Sequence, residues 1–320
     1  MDFQILIKTN RGDVLTNLKR LFLLLGVGFL FVRSAFPQAG DAGGTGLAFL
    51  KVGVGARASA MGEAYTALSS DATATYWNPA GLILLSGGQV AFAHTEWLED
   101  VSNDFLAIAF PLLGGSVGFS VYSNNVDGIE RRVIPSEQPL GTIDANDIAA
   151  GISYGRSLSE RLAAGVTVKY LYEKIFTASV AGYAFDFGVR FKPLDNPLIV
   201  AAVVQNLGSM GTLAKASIDL PTTVRVGASY RFPIEQLGGA LLLAADGVKV
   251  ADNNLRGNFG LELSVRNHLA FRFGYQAGFD EKSVAGGFGL NFSRYYLDYG
   301  YAPFDSNLGD THRFSFGLDL

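Results

Sequence analysis

The most constraining feature of this sequence is a two-residue alternation of apolar and polar side chains that starts near Gln89 and continues to the end of the chain. Segments of about ten residues carry a large apolar side chain at every second position, with short turns or longer polar connections between them. Between Tyr183 and Lys192, for example, aromatic side chains and Val alternate with a face that includes Asp186 and Arg190. The count of such segments predicts about fourteen β-strands.

Two architectures accommodate such an alternating apolar face: a soluble sandwich buries it in a core, whereas a membrane barrel turns it towards lipid. Three features favour the barrel. The polar face is rich in Gly and other small residues, aromatic residues lie near the strand ends, and the connections alternate in length. We therefore predict an all-β fold, a transmembrane antiparallel β-barrel formed by residues 89–320, with lumen charges at Asp186, Arg190, Arg225 and Arg272.

The predicted connections also indicate how the barrel is oriented. Longer ones are expected at Asn125–Asn146, Ile175–Ala181 and Leu207–Pro221, and shorter ones at Pro193–Pro197 and Pro233–Gly238. An even number of strands places both barrel ends on the side of the short turns. In outer-membrane barrels that side is periplasmic and the long loops are extracellular, so we predict this orientation in the bacterial outer membrane.

The N-terminal 39 residues have the pattern of a secretory signal peptide. Lys19 and Arg20 precede the apolar run Leu21–Val32, and small residues follow, with cleavage expected between residues 35 and 42. A membrane anchor is the alternative, but the run is short for one. A Gly-rich spacer, residues 40–46, comes next. The chain contains no Cys, which fits an exported protein that uses no disulfide.

The composition and the few histidines argue against several other functions. A formal net charge of −4 argues against a basic nucleic-acid binder. His94, His268 and His312 are widely separated and show no metal-ligand spacing. Asp310 and His312 form the one acid and His pair, but no nucleophile can be assigned to them. The sequence therefore predicts neither an enzyme nor a cofactor or metal site.

Residues 47–88 differ from the barrel pattern. An Ala-rich stretch, Ala56–Leu68, predicts a short helix that ends near Asp71. Gly53, Gly55 and the following residues imitate a dinucleotide-binding fingerprint, but that fingerprint needs a βαβ unit, and strands without helices follow instead. The segment carries a long motif whose elements are Gly55, Arg57, Met61, Gly62, Tyr65, Asp71, Trp77, Asn78, Pro79, Ala80 and Gly81.

This motif resembles the N-terminal signature of the PorV/PorQ family, which is itself similar to FadL-type fatty-acid channels. The resemblance implies a fourteen-stranded outer-membrane barrel whose residues 47–88 fold into the lumen as a short helical plug. It also implies a link to type IX protein secretion, with a translocon or secreted cargo proteins as partners beside the outer-membrane lipid.

Physical reasoning about the motif residues leads to two expectations. Asn78, Pro79 and Gly81 are residues typical of turns, and Gly81 allows a positive φ. They predict a stiff bend before the first strand. Direct contact with a ligand or partner is the alternative role. Arg57 and Asp71 need partners if they lie in the lumen, and lumen charges such as Asp186, Arg190 and Arg225 would supply them.

Two functions follow as hypotheses. In the first, the protein is a non-enzymatic accessory or scaffold component of type IX secretion or surface attachment, and its long loops meet cargo or a partner. In the second, it is a FadL-like channel for a hydrophobic small molecule such as a fatty acid. The short chain leaves little room for the longer hatch and loops of such a channel, which favours the scaffold. Neither loop composition nor spacing separates a PorV-like from a PorQ-like role.

Overall fold

The structure is a computed structural model that describes residues 44–97, 101–132, 138–213, 216–279, 283–304 and 309–320. The predicted signal peptide and the first part of the spacer lie outside these residues, as do parts of several predicted long loops. No helix in these ranges has both the length and the apolar character required to cross a membrane.

Fourteen antiparallel strands close into one barrel, because the first strand pairs with the last as well as with the second. The strands are β1 (Gln89–Glu96), β2 (Val101–Leu112), β3 (Gly115–Arg131), β4 (Gly141–Ser157), β5 (Leu162–Ile175), β6 (Ala178–Phe191), β7 (Leu198–Met210), β8 (Thr223–Ile234), β9 (Gly239–Val250), β10 (Arg256–Val265), β11 (Leu269–Ala277), β12 (Val284–Phe292), β13 (Tyr295–Pro303) and β14 (Asp310–Asp319). A two-residue hairpin, Thr212–Leu213 with Ala216–Ser217, lies between β7 and β8. The predicted barrel is confirmed.

The two faces of the strands differ as the alternation predicts. On β6, Asp186 is fully buried in the lumen while its neighbour Phe187 is 51% exposed on the outer wall. The same contrast holds on β11, where Arg272 is buried between the exposed Phe271 and Phe273. An outer wall of exposed apolar side chains suits contact with lipid tails. Closure of the barrel gives the backbone N–H and C=O groups of every strand a hydrogen-bond partner.

The connections match the predicted alternation only in part. The predicted long connection Ile175–Ala181 is wrong, because β5 and β6 extend to a two-residue turn at Phe176, which has φ +54°. Most of the predicted loop Asn125–Asn146 is strand as well, since β3 and β4 each contain 17 residues. We call the end of the barrel with these extended strands the long-loop end and the opposite end, where β1 begins, the short-turn end.

The segment before β1 forms only short helices inside the barrel. They are a 3-10 turn (Ala48–Lys51), α1 (Ala56–Ala60), α2 (Ala74–Trp77) and a second 3-10 helix (Pro79–Leu84), while a further 3-10 turn (Glu235–Leu237) connects β8 and β9. The predicted helix Ala56–Leu68 is wrong beyond Ala60. The chain turns there, with φ +62° at Gly62 and +61° at Glu63.

Close contact with the wall explains why the helix stops. A Cβ on Gly62 would lie 2.8 Å from the backbone nitrogen of Tyr275, and a Cβ on Gly274 would lie 2.0 Å from the backbone nitrogen of Gly62. Two glycines therefore let the segment and β11 touch backbone to backbone. The helix ends because this contact requires a left-handed turn, which the local composition does not reveal.

Candidate functional site

The segment from residue 44 to residue 88, which we call the plug, passes through the lumen from one end to the other. At the long-loop end, Gly46 donates a backbone hydrogen bond to Asp219, and Lys51 forms an ion pair with Asp252 at 2.6 Å. At the short-turn end, the helix Pro79–Leu84 packs against β4, β5 and β6. The predicted placement of residues 47–88 inside the barrel is confirmed by these contacts.

The long-loop contact of the plug is strengthened by a second donor. Thr45 donates to the same Asp252 oxygen as Lys51, with its hydroxyl 2.8 Å away. Burial alone would raise the pKa of Asp252, but the hydrogen bonds from Lys51 and Thr45 and the charge of Lys51 outweigh it and lower that pKa. Asp252 therefore stays ionised and holds the start of the plug.

The central contact of the plug is a chain of alternating charges. Arg57 donates through Nε and Nη2 to the two carboxylate oxygens of Glu262, at 2.8 and 2.9 Å. Arg272 donates to Glu262 at 2.6 Å and to Asp298 at 2.6 Å. Glu262, Arg272 and Asp298 are all at least nine-tenths buried. Each charge has an opposite partner, which a buried ion requires.

Arg57 and Asp71 have other partners than the predicted lumen charges Asp186, Arg190 and Arg225. Arg57 pairs with Glu262 rather than with Asp186. Asp71 accepts hydrogen bonds from the Tyr65 hydroxyl at 3.1 Å and from the Thr73 backbone at 2.8 Å, so it shapes the plug itself. The partner of Asp186 is Lys169, at 2.8 Å on the neighbouring strand.

The four predicted lumen charges all lie on the inner face, but only three are well buried. Arg272 belongs to the charge chain, and Arg225 donates to Gln205 at 3.2 Å while its guanidinium lies 5.0 Å from the Trp77 ring. Arg190 is half-buried and forms no ion pair among the residues that the structure describes. Arg225 and Arg272 thus belong to the contact between plug and wall, whereas Asp186 pairs within the wall.

A second carboxylate of the wall binds the plug backbone. Asp246 on β9 accepts hydrogen bonds from the backbone nitrogens of Tyr65 and Thr66, at 3.0 and 2.9 Å, and from the Thr66 hydroxyl at 2.6 Å. Sequence reasoning missed Asp246, and it also missed Glu262 and Arg313. The signal was present, since Glu262 stands between Leu261 and Leu263 on an alternating strand.

Trp77 is the largest fully buried side chain of the plug. Its indole nitrogen donates to the Val54 carbonyl at 2.9 Å. Its ring makes edge contacts with Tyr65 and Tyr76, at centroid distances of 5.6 and 5.2 Å. Met61 is fully buried in the same apolar cluster. These contacts make Trp77 the apolar anchor of the plug.

The Asn-Pro-Ala-Gly string forms the predicted bend, by a somewhat different mechanism. The Asn78 side chain accepts from the Ala80 backbone at 3.1 Å and donates to the Val189 carbonyl of the wall at 3.2 Å. Pro79 begins the 3-10 helix, a position that suits its fixed φ. The expectation of a positive φ at Gly81 is wrong. Gly81 is needed because a Cβ there would lie 2.1 Å from the Ser69 carbonyl oxygen.

Two small cavities lie between the plug and the wall in the part of the chain that the structure describes. One cavity beside Arg57 and Tyr65 has a volume of about 30 Å³, and another beside Tyr76 and Lys169 has about 20 Å³. Such volumes hold about one water molecule each. A cavity that binds benzene, in contrast, has a volume of about 150 Å³.

The three histidines do not converge. His94 contacts Asp104 at 2.8 Å, His268 contacts the Asn291 carbonyl at 3.1 Å, and His312 contacts the Tyr299 hydroxyl at 2.8 Å. In the described ranges, no three His, Cys, Asp or Glu side chains are grouped so that they could hold a metal. The absence of enzymatic activity stays a prediction.

Comparison with known proteins identifies a family and a fold. Residues 38–192 match the family model described as type IX secretion system protein PorV. No curated protein sequence matches the chain.

Among solved structures, the CymD monoaromatic hydrocarbon channel is similar with a TM-score of 0.62 and 13% identity, over 84% of this chain and 98% of that chain. The toluene transporter TodX of Pseudomonas putida has a TM-score of 0.59 and 12% identity, over 83% and 96%. A FadL homologue of Pseudomonas aeruginosa has a TM-score of 0.54 and 9% identity, over 83% and 98%. At these identities the likeness establishes the outer-membrane barrel fold alone.

Proposed function

Residues 38–192 of this chain match the PorV family model, and on that premise we propose that the chain is a non-enzymatic outer-membrane barrel that acts as an accessory or scaffold component of type IX protein secretion or surface attachment. Its partners would be the secretion translocon or secreted cargo proteins. The observation that carries the proposal is the plug that passes through the lumen, held there by a buried ion pair and backbone hydrogen bonds. A plugged barrel leaves its outer rim as the surface on which a partner can bind.

The cavity volumes support this function over transport. Neither cavity described above is large enough for a molecule of the size of toluene. The plug is also held at several levels by buried charges and backbone hydrogen bonds, including those of Glu262 and Asp246. Opening a path through the lumen would break these contacts together.

The long-loop end carries a projecting surface suited to a protein partner. The pairing of β2 with β3 begins at Val101 and Val126, and the pairing of β4 with β5 ends at Ala145 and Ile175. Residues 127–131 and 141–144 therefore extend beyond both neighbouring strands as a two-stranded arm. Leu140 is 68% exposed beside it. Unpaired strand edges and exposed apolar side chains favour association with another chain.

Photocrosslinking in intact cells tests this function. A photoreactive amino acid at Leu140 or Phe176, both exposed at the long-loop end, is expected to attach to a protein of the secretion apparatus or to a secreted protein. The matched control is Leu113, which is 77% exposed in the opposite turn. The proposal fails if Leu140 and Phe176 yield only lipid adducts, or the same products as Leu113.

We further propose that the long-loop end faces the outside of the cell and that both barrel ends are periplasmic. The chain contains no Cys, so single cysteines can be introduced without removing native ones. Leu140→Cys is expected to react with a membrane-impermeant maleimide on whole cells, whereas Leu158→Cys at the other end reacts only after the membrane is broken. The reverse labelling pattern would contradict this orientation.

The second function is a channel for hydrophobic solutes, and the hydrocarbon channels of similar fold favour it. It predicts that the purified barrel carries a stoichiometric apolar ligand. Extraction of such a ligand from a clean preparation, together with loss of solute uptake on deletion of the gene, would support transport over the scaffold.

A further inference from the structure

The two-stranded arm has a vacant strand position beside β3. β3 continues through Arg131, whereas the pairing of its neighbour β2 begins at Val101, opposite Val126. Trp97 donates a backbone hydrogen bond to the Val101 carbonyl at 2.9 Å, so the connection from β1 to β2 closes at this level. Among the residues that the structure describes, no strand pairs with residues 127–131 on the β2 side. The edge of β3 above β2 is therefore open to another strand.

The backbone of this edge points towards the vacant position. Leu140 donates a backbone hydrogen bond to the Arg131 carbonyl at 2.8 Å, so the polar backbone groups of Arg131 point to the β4 side of the arm. Successive residues of a strand direct these groups to opposite sides. The N–H and C=O groups of Glu130 therefore point to the vacant side, where an added strand finds a donor and an acceptor.

A β-bulge turns the side chains of the arm towards the mouth of the barrel. Asp144 of β4 opposes two residues of β3, Asp127 and Gly128, and Gly128 has φ +71°. One extra residue in a strand reverses the face on which the following side chains lie. Ile129 therefore lies on the inner face, directly opposite Ile143. Without the bulge, Ile129 would point outwards.

Apolar side chains that face the mouth lie in two rows, on the arm and just below it. The upper row is the pair Ile129 and Ile143, and the lower row is Val126, Ala145 and Ile175. Ile129 is 37% exposed and Ile175 is 39% exposed. These side chains belong to the inner face, so lipid does not cover them as it covers the outer wall. Exposed apolar surface away from lipid marks a binding surface for another protein.

We propose that an extended segment of a partner protein adds as a strand to the edge of β3 at residues 127–131, antiparallel to β3. Its apolar side chains lie over Ile129 and Ile143, and its polar side chains point outwards. The inference rests on the proposed function and deepens it, because it states the form in which the barrel recognises its protein partner.

The geometry of the edge selects a strand over a helix. A helix satisfies its own backbone groups and has no use for those of Glu130. An extended segment of five residues spans about 17 Å and matches the length of the edge. The residue opposite Ile129 faces the mouth and is expected to be apolar. The residue opposite Glu130 lies on the outer side, beside the ion pair of Glu130 with Arg132 at 2.6 Å, and is expected to be polar.

Two variants of Glu130 separate strand addition from other modes of binding. Glu130→Pro and Glu130→Ala both remove the ion pair with Arg132, but only Pro also removes the N–H group that points to the vacant position. Pro is tolerated on an edge strand where its N–H takes no part in the ladder. Circular dichroism of the purified barrels is expected to show the same strand content in both variants.

Photocrosslinking from Ile129 in intact cells is the measurement. An apolar photoreactive residue there is expected to attach to a protein, and mass spectrometry of the adduct should find a segment with apolar residues at every second position. The yield of this adduct should be unchanged in the Glu130→Ala background. It should fall about tenfold in Glu130→Pro, because a buried acceptor of the added strand loses its donor.

The other outcomes overturn strand addition. They are equal adduct yields in the two variants, adducts only with lipid or with a second copy of this chain, a segment without the alternation, or no protein adduct at all. A non-alternating segment of a secretion protein at Ile129 would overturn strand addition and leave the proposed function intact. An alternating segment at Ile129, with no secretion protein captured from Leu140 or Phe176, would support strand addition while the secretion role fails.

Discussion

Replacing Glu262 with Gln is expected to lower the free energy of unfolding by about 3–5 kcal/mol, the usual cost of removing one partner from a buried ion pair. Glu262 accepts hydrogen bonds from both Arg57 and Arg272. In this variant Arg57 keeps two neutral acceptors, the amide oxygen of the new side chain and the Tyr65 hydroxyl at 3.4 Å, but loses its counter-charge. The plug then holds a poorly compensated guanidinium, and unfolding in denaturant from lipid vesicles should report the loss.

The matched control for Glu262→Gln is Asp195→Asn. Both carboxylate oxygens of Asp195 accept from Nη2 of Arg161, but the side chains of Asp195 and Arg161 are 83% and 50% exposed. Exposed pairs contribute about 0–1 kcal/mol, because water screens both charges. If the two variants lose the same free energy of unfolding, the chain of charges between plug and wall does not stabilise the protein as described.

The variant Trp77→Ala is expected to lose a comparable free energy of unfolding, about 3–5 kcal/mol. The substitution removes a fully buried ring from between Tyr65 and Tyr76 and leaves the Val54 carbonyl without its donor. Arg225 also loses the ring against which its guanidinium lies. The effect should appear in the same denaturant titration.

The control for Trp77→Ala is Trp97→Ala, which changes the only other tryptophan of the chain. Trp97 is half-buried at the long-loop end, where it contacts Phe304 at a centroid distance of 5.3 Å. Partial burial makes its removal less costly. Equal losses for the two variants would show that Trp77 is not an anchor.

The barrel could be predicted from sequence because its determinants are local. A strand that faces lipid on one side and a packed lumen on the other must alternate with a period of two, and this alternation placed Asp186, Arg225 and Arg272 inside. The position of the plug came from a motif, and its residues Trp77 and Asn78 are indeed among the most buried side chains of the chain.

The pairing inside the lumen could not be predicted, because it depends on register and strand tilt. Arg57 and Glu262 are separated by 205 positions, and nothing near either residue identifies the other. The end of α1 is another case, since the turn at Gly62 exists to meet the backbone of β11. The extension of β5 through Ile175 is a third case. The tight turn there needs a positive φ at Phe176, and a Phe at this position gives no sign of such a turn.

The conductance of the purified protein in a planar lipid bilayer tests the closed lumen most directly. With Trp77 and the chain of charges holding the plug in place, the wild type is expected to pass no steady ion current, whereas Trp77→Ala should show openings. A steady current through the wild type, unchanged by Trp77→Ala, would contradict the account, because it would show a water-filled passage where the plug is placed.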